Sequence, residues 1–215
     1  MAARGGRRRR RWSFAAATAM MGVALTVLPW LAGRDDTGGV LLALLAGFSI
    51  WAWVEFSFYT GYVTGPSRAV PLPGARFRVR LRYALAACLW HELVIPVLAL
   101  VIWILCGGEG HLWSPWIYLT FWVLYEVAHL NVLAGVPHPF SELLPDHLGH
   151  LKPHLEPARA GWVLAATPLA HVVALVVLVG SAVAAVGFPA LLGWAALTTL
   201  VALGWVEHLV LLPLG

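Results

Sequence analysis

The sequence predicts an all-α polytopic membrane protein, a helical bundle of about six transmembrane helices with both termini inside, and three observations predict it. Of the 215 residues, 60% are hydrophobic and only 11% are charged, and the mean hydropathy is +0.80, so a water-soluble surface cannot be assembled from what remains. Apolar runs long enough to cross ~30 Å of hydrocarbon recur along the whole chain. Of the 14 Lys and Arg residues, every one but Arg34 falls on one side of the six-span arrangement.

The spans are read at about 12–32, 39–60, 83–106, 113–135, 160–186 and 189–214. Residues 1–11 form a basic cytoplasmic segment, and 12–214 a single transmembrane bundle with cytoplasmic loops 61–82 and 136–159. Lipid offers no water to free backbone groups, and no run alternates as a barrel strand does, so each span is expected to be a helix.

The opening RGGRRRRRW before an apolar run resembles the start of a secretory signal, yet no small-x-small cleavage site follows. Trp30 stands where a small residue is needed for cleavage after Ala32, and the first span is read as an uncleaved signal anchor. Arg34 alone lies outside, between spans one and two, which gives N-in, C-in orientation and an even number of spans. Trp12, Trp30, Trp113, Trp116 and Trp162 fall near span ends, where an amphipathic ring prefers to sit, while Trp51, Trp53, Trp90, Trp103, Trp122 and Trp205 are expected to pack between helices. Cys88 and Cys106 share one span, ~27 Å apart if helical, too far to bridge.

The outside connections are barely more than turns, so function is expected on the cytoplasmic side. The first inside loop ends in RFRVRLR, a stretch suited to anionic headgroups. The second carries Leu144, Leu148, Leu151 and Leu155 at helical spacing, the stripe of a short interfacial helix that Pro145 starts and Pro153 disturbs. The net charge of +4 sits in such short segments and not on a soluble face, so membrane lipids are expected partners and nucleic acid is not.

A charged side chain at mid-membrane costs roughly +2.5 to +3.5 kcal/mol on insertion scales, so each one calls for a reason. Glu55, His91, Glu92, Glu126, His129, His171, Glu207 and His208 all fall inside spans. Counted from the nearest cytoplasmic end, they lie roughly 9 to 15 Å deep, which groups them in one leaflet. One reading is that they hydrogen-bond one another and hold helices together. The other is a ligand site, since imidazole binds transition metals or the magnesium of a chlorophyll-type pigment. Glu126 and His129 have the (i, i+3) spacing of a di-iron helix, although such bundles use two motifs and only one is present. His147, His150 and His154 share a helix face at metal-ligand spacing, or are the polar side of an interfacial helix. Walker, Rossmann, Gly-x-Ser-x-Gly and Cys-x-x-Cys patterns are missing from the sequence, so nucleotide chemistry and acyl-serine hydrolysis have no support.

The stretches EFSFYTGYVTGPSRAV, LWHEL, HLNVLAGV, SELLPDHLGHL and VEHLVLLPL together resemble the photosynthetic complex assembly proteins of the PuhE type, from about Glu55 to Leu214. The resemblance implies a multi-pass protein of the bacterial inner (cytoplasmic or photosynthetic) membrane. Its implied role is to assist assembly of the reaction centre and core antenna and the supply of bacteriochlorophyll, with reaction-centre and core-antenna subunits as partners. It implies no catalytic residue. The polar positions it matches are Glu55, His91, Glu92, Asn131, Glu142, His147, Glu207 and His208. Of these Glu55, His91, Glu92, Glu207 and His208 form the expected polar site, a place for bacteriochlorophyll or a precursor. In that family the position of His129 is usually a lysine, and Glu126, His150 and His154 lie outside the pattern. A membrane metalloenzyme acting on a lipid, carotenoid or tetrapyrrole, and a small proton-coupled transporter, are the alternative readings.

Overall fold

The computed structural model describes residues 2–72, 74–107, 112–134, 145–155 and 161–211, and these are helical with no strand among them. Six long helices follow in order: α1 (Ala2–Leu31), α2 (Thr37–Tyr59), α3 (Phe77–Leu105), α4 (Trp113–Ala134), α5 (Gly161–Val183) and α6 (Phe188–Leu211). A 3-10 helix, Asp146–Leu155, lies between α4 and α5. Each long helix falls on one expected span. α1 and α3 nevertheless begin well before the apolar runs, because arginine is a good helix former and a basic stretch joined to a span continues its ladder. Among the described residues, five of the six hold a stretch both long and apolar enough to cross a membrane. α4 is 22 residues long and carries Trp, Tyr, Glu, His and Asn among its apolar residues.

The chain forms two compact units. The first comprises residues 1–64 and 90–119, and within it α1 packs against α2. α2 starts at Asp36, whose carboxylate accepts from the Gly39 N–H at 3.0 Å and from Arg34 Nε at 2.8 Å. Arg34 also lies over the Trp30 ring, 4.6 Å from its centroid. The Arg34 guanidinium and then the Gly39 N–H hold the Asp36 carboxyl down at about 2. Further along, α2 and α4 approach so closely that Gly47 has no room for a side chain: a Cβ there would sit 2.6 Å from the Ser114 carbonyl oxygen and against Ile117. Ser114 Oγ donates to the Ala43 carbonyl at 2.7 Å across the same crossing. In lipid, van der Waals contact and hydrogen bonds of this kind hold helices together, since apolar burial gains little there.

The second unit comprises residues 65–89 and 120–215, and within it α5 packs against α6. Gly204 on α6 admits Leu124 of α4 and the His171 ring of α5, whose Nε2 is 3.7 Å from where a Cβ would stand. The 3-10 helix buries Leu148 and Leu151, a step of three that matches its three residues per turn. Pro145 does start this helix, its carbonyl accepting from the Leu148 N–H at 2.8 Å. Pro153 lies within the assigned helix, which runs on to Leu155.

Three aromatic expectations differ from what is observed, and one of them is Trp103, expected between helices and 47% exposed. Trp113, expected at an interface, is buried, and Trp90, expected between helices, is 53% exposed. Trp90 shares a helix face with Leu93, Val97 and Leu100, all exposed, so the ring belongs to an outward apolar stripe. Both cysteines are free.

Candidate functional site

α3 is interrupted at Cys88, whose φ of −121° and ψ of 15° leave the helical region. The Cys88 thiol donates to the Ala84 carbonyl at 3.0 Å. A break in the ladder frees backbone groups, which cannot stay unsatisfied away from water. In the second unit the Ala86 carbonyl accepts from the Ser67 N–H at 3.2 Å. Gly65 lies so near Ala86 and Ala87 that a Cβ there would meet their backbones. In the first unit the His91 N–H donates to the Thr64 carbonyl at 3.1 Å. One turn further, Pro96 has no N–H to offer the Glu92 carbonyl. His91 and Glu92 thus occupy a short stretch of α3 bounded on both sides by lost ladder bonds.

Around that stretch the first unit assembles three of the five expected site residues. The His91 side chain has no exposed surface, and its ring centroid is 4.6 Å from that of Phe58 on α2. Glu55, one turn before Phe58, is half-buried, and its Oε1 is enclosed with no hydrogen-bond partner among the described residues. Glu92 is half-buried, near enough for its charge to act on Glu55. Two neighbouring carboxylates in a low-dielectric surround repel each other when both are charged, so the pair favours a cationic or hydrogen-bond-donating neighbour and disfavours an anion.

Glu207 and His208 belong to α6 in the second unit. Glu207 is exposed, and the His208 side chain lies outside the described residues. Also in this unit, Glu126 Oε1 accepts from Trp122 Nε1 at 2.9 Å, and the His129 ring sits 4.1 Å from Tyr125. Each member of the Glu-x-x-His pair therefore has a neighbour one turn back on α4, an arrangement that serves packing. His171 is buried, with Nδ1 2.8 Å from the Thr167 carbonyl, so in the neutral ring Nδ1 carries the proton and donates. Asn131 is also buried. His150 is half-buried, whereas the side chains of His147 and His154, and all of Glu142, lie outside the described residues. Among the described residues no three His, Cys, Asp or Glu side chains converge as a metal set.

Sequence reasoning identified the ionisable groups and missed what frames them: the Cys88 interruption, the Thr64 carbonyl, and the ring of Phe58. Gly65 was the available signal, a glycine in a loop that faces the interrupted helix. The His91 ring has no exposed surface and packs on Phe58.

A family model described as a protein of unknown function (DUF3623) matches residues 1–215. An uncharacterized 30.4 kDa protein in the puhA 5′ region of Rhodobacter capsulatus is 32% identical over 184 residues, covering 84% of this chain and 67% of that relative. No solved structure matches the chain.

Proposed function

We propose, from the premise that this chain belongs to the DUF3623 family and has a relative in a puhA 5′ region, that it is a membrane factor for photosynthetic complex assembly. The observation that carries this reading is the relative's place beside a photosynthesis gene. The motifs resembling the PuhE type and the multi-pass helical architecture support it. In this reading the protein sits in the bacterial inner membrane, with both termini and the loops 61–82 and 136–159 in the cytoplasm. It acts on reaction-centre or core-antenna subunits by lateral helix contacts and thereby influences bacteriochlorophyll supply.

The role of the polar groups divides by unit in this proposal. His91 positions α2 against α3 through Phe58, while Glu55 and Glu92 remain the pair able to receive a donor group. Glu207 and His208 stay candidates on α6. The test is deletion followed by absorption spectra of membranes from cells grown photosynthetically. Assembled reaction centre or core antenna should fall severalfold, and the complexes that do form should keep normal spectra. Unchanged complex level, pigment content and growth in light would remove the assignment.

A further inference from the structure

We infer that Arg8, Arg9 and Arg11, with Trp12, form a docking surface for acidic phospholipid headgroups. The arginine run is not a loose tail, because α1 runs unbroken from Ala2 to Leu31 and carries these residues as a rigid extension of the span. Its rotation is fixed by Arg10, which differs from the other described members of the run. The Arg10 guanidinium lies over the Tyr62 ring, 5.7 Å from its centroid, and Tyr62 stacks on Phe14 at 4.2 Å. Arg10 and Phe14, one turn apart, therefore face the protein. At about 100° per residue Arg8 and Trp12 lie opposite Arg10, with Arg9 and Arg11 flanking them. All four are exposed, Trp12 by 67%.

Depth selects the partner. An exposed Trp at the edge of an apolar run seeks the headgroup boundary. The helical rise of ~1.5 Å per residue then places Arg8 to Arg11 within roughly 6 Å of that ring along the axis, inside the headgroup layer. Nucleic acid or an acidic protein segment would have to enter that layer, whereas lipid phosphates already occupy it. Guanidinium matches phosphate geometry with paired donors. Among the described residues none of Arg8, Arg9 and Arg11 forms an ion pair with a carboxylate. Clustered cations repel one another, and a net negative headgroup relieves that repulsion more than a zwitterionic one does. This inference stands apart from the assembly role and survives or fails without it.

The test uses the purified full chain in mixed micelles containing equal phosphatidylglycerol and phosphatidylcholine, with co-eluting lipids quantified after gel filtration. Phosphatidylglycerol should be enriched at least about fivefold, the effect expected of one well-engaged arginine. Enrichment should fall below about twofold in R8Q/R9Q/R11Q and in the wild type at 1 M salt. R10Q should keep it, and R78Q/R82Q, at the start of α3, should lower it less than the α1 variant does. If the triple variant does not elute as a folded species, R8Q and R11Q singly decide, each expected to lower enrichment about twofold. Absence of enrichment, or enrichment retained in the α1 variants, overturns the inference.

Discussion

α2 and α5 are each 23 residues long and comparably apolar, yet 56% of the span Thr37–Tyr59 in α2 is buried within the protein against 11% of Ala166–Val183 in α5. Apolar character alone therefore says that a helix can enter the membrane, and leaves open what it will touch there. The difference lies in side-chain size and spacing. α2 buries Gly39, Ala43, Ala46 and Gly47, residues that let another backbone approach. α5 shows Val172, Val173, Val176, Val177, Val179 and Val183 outward, a broad β-branched surface suited to lipid. Its inward side is narrow, marked by buried Thr167 and His171 one turn apart.

The sharpest way to break this comparison is to put the same side chain on both helices. Gly47→Leu forces α2 and α4 apart at Ser114 and Ile117 and removes the Ser114 to Ala43 bond, and should cost about 3 kcal/mol in reversible unfolding in detergent. Gly180→Leu on α5, where nothing lies within 4 Å of a Cβ, should stay within about 0.5 kcal/mol. Equal losses would mean that α5 carries a protein contact as close as that of α2.

A smaller effect is expected from polar links. Tyr118, fully buried on α4, donates its hydroxyl to the Ile95 carbonyl at 3.0 Å while its ring meets Trp51 edge-on. Tyr118→Phe keeps the ring and should cost about 1 kcal/mol, measured by the same unfolding. No change there would show that ring packing alone holds that junction.

The smallest effect concerns how α2 begins. The Asp36 carboxyl, held at about 2 against an ordinary value of 3.8, favours the folded state above pH 4 and loses that contribution as the pH falls through 2. Wild type should then be more stable than Asp36→Asn at pH 5, and the gap should narrow towards pH 2 and close below it. A gap independent of pH would show that the charge and its Arg34 partner contribute nothing beyond the cap itself.

Much of this was readable in the sequence. All six helices fall where apolar runs lie, because hydrocarbon thickness imposes a length that composition reveals. α1 and α3 run on before their expected spans because hydropathy stops at arginine while the helical ladder does not. The interruption at Cys88 had no local signal: the residue is neither Gly nor Pro, and the bonds that accept the break come from Thr64 and Ser67, far back in the chain. His91 was recognisable as costly but not as enclosed, since the ring of Phe58 that covers it belongs to another helix. The spacing Ala43-x-x-x-Gly47 was visible and carried the α2 to α4 crossing, though nothing near it named Ser114 as the partner.

That crossing has a consequence for how the chain is made. Ser114 is 71 residues beyond Ala43, so at 5–20 residues per second the ribosome needs about 4–14 s between delivering one and the other. During that interval α2 is already in the membrane with its glycine and alanine face turned to acyl chains. α2 therefore stays in lipid with its close-packing face uncovered until the helix that fills it has been translated.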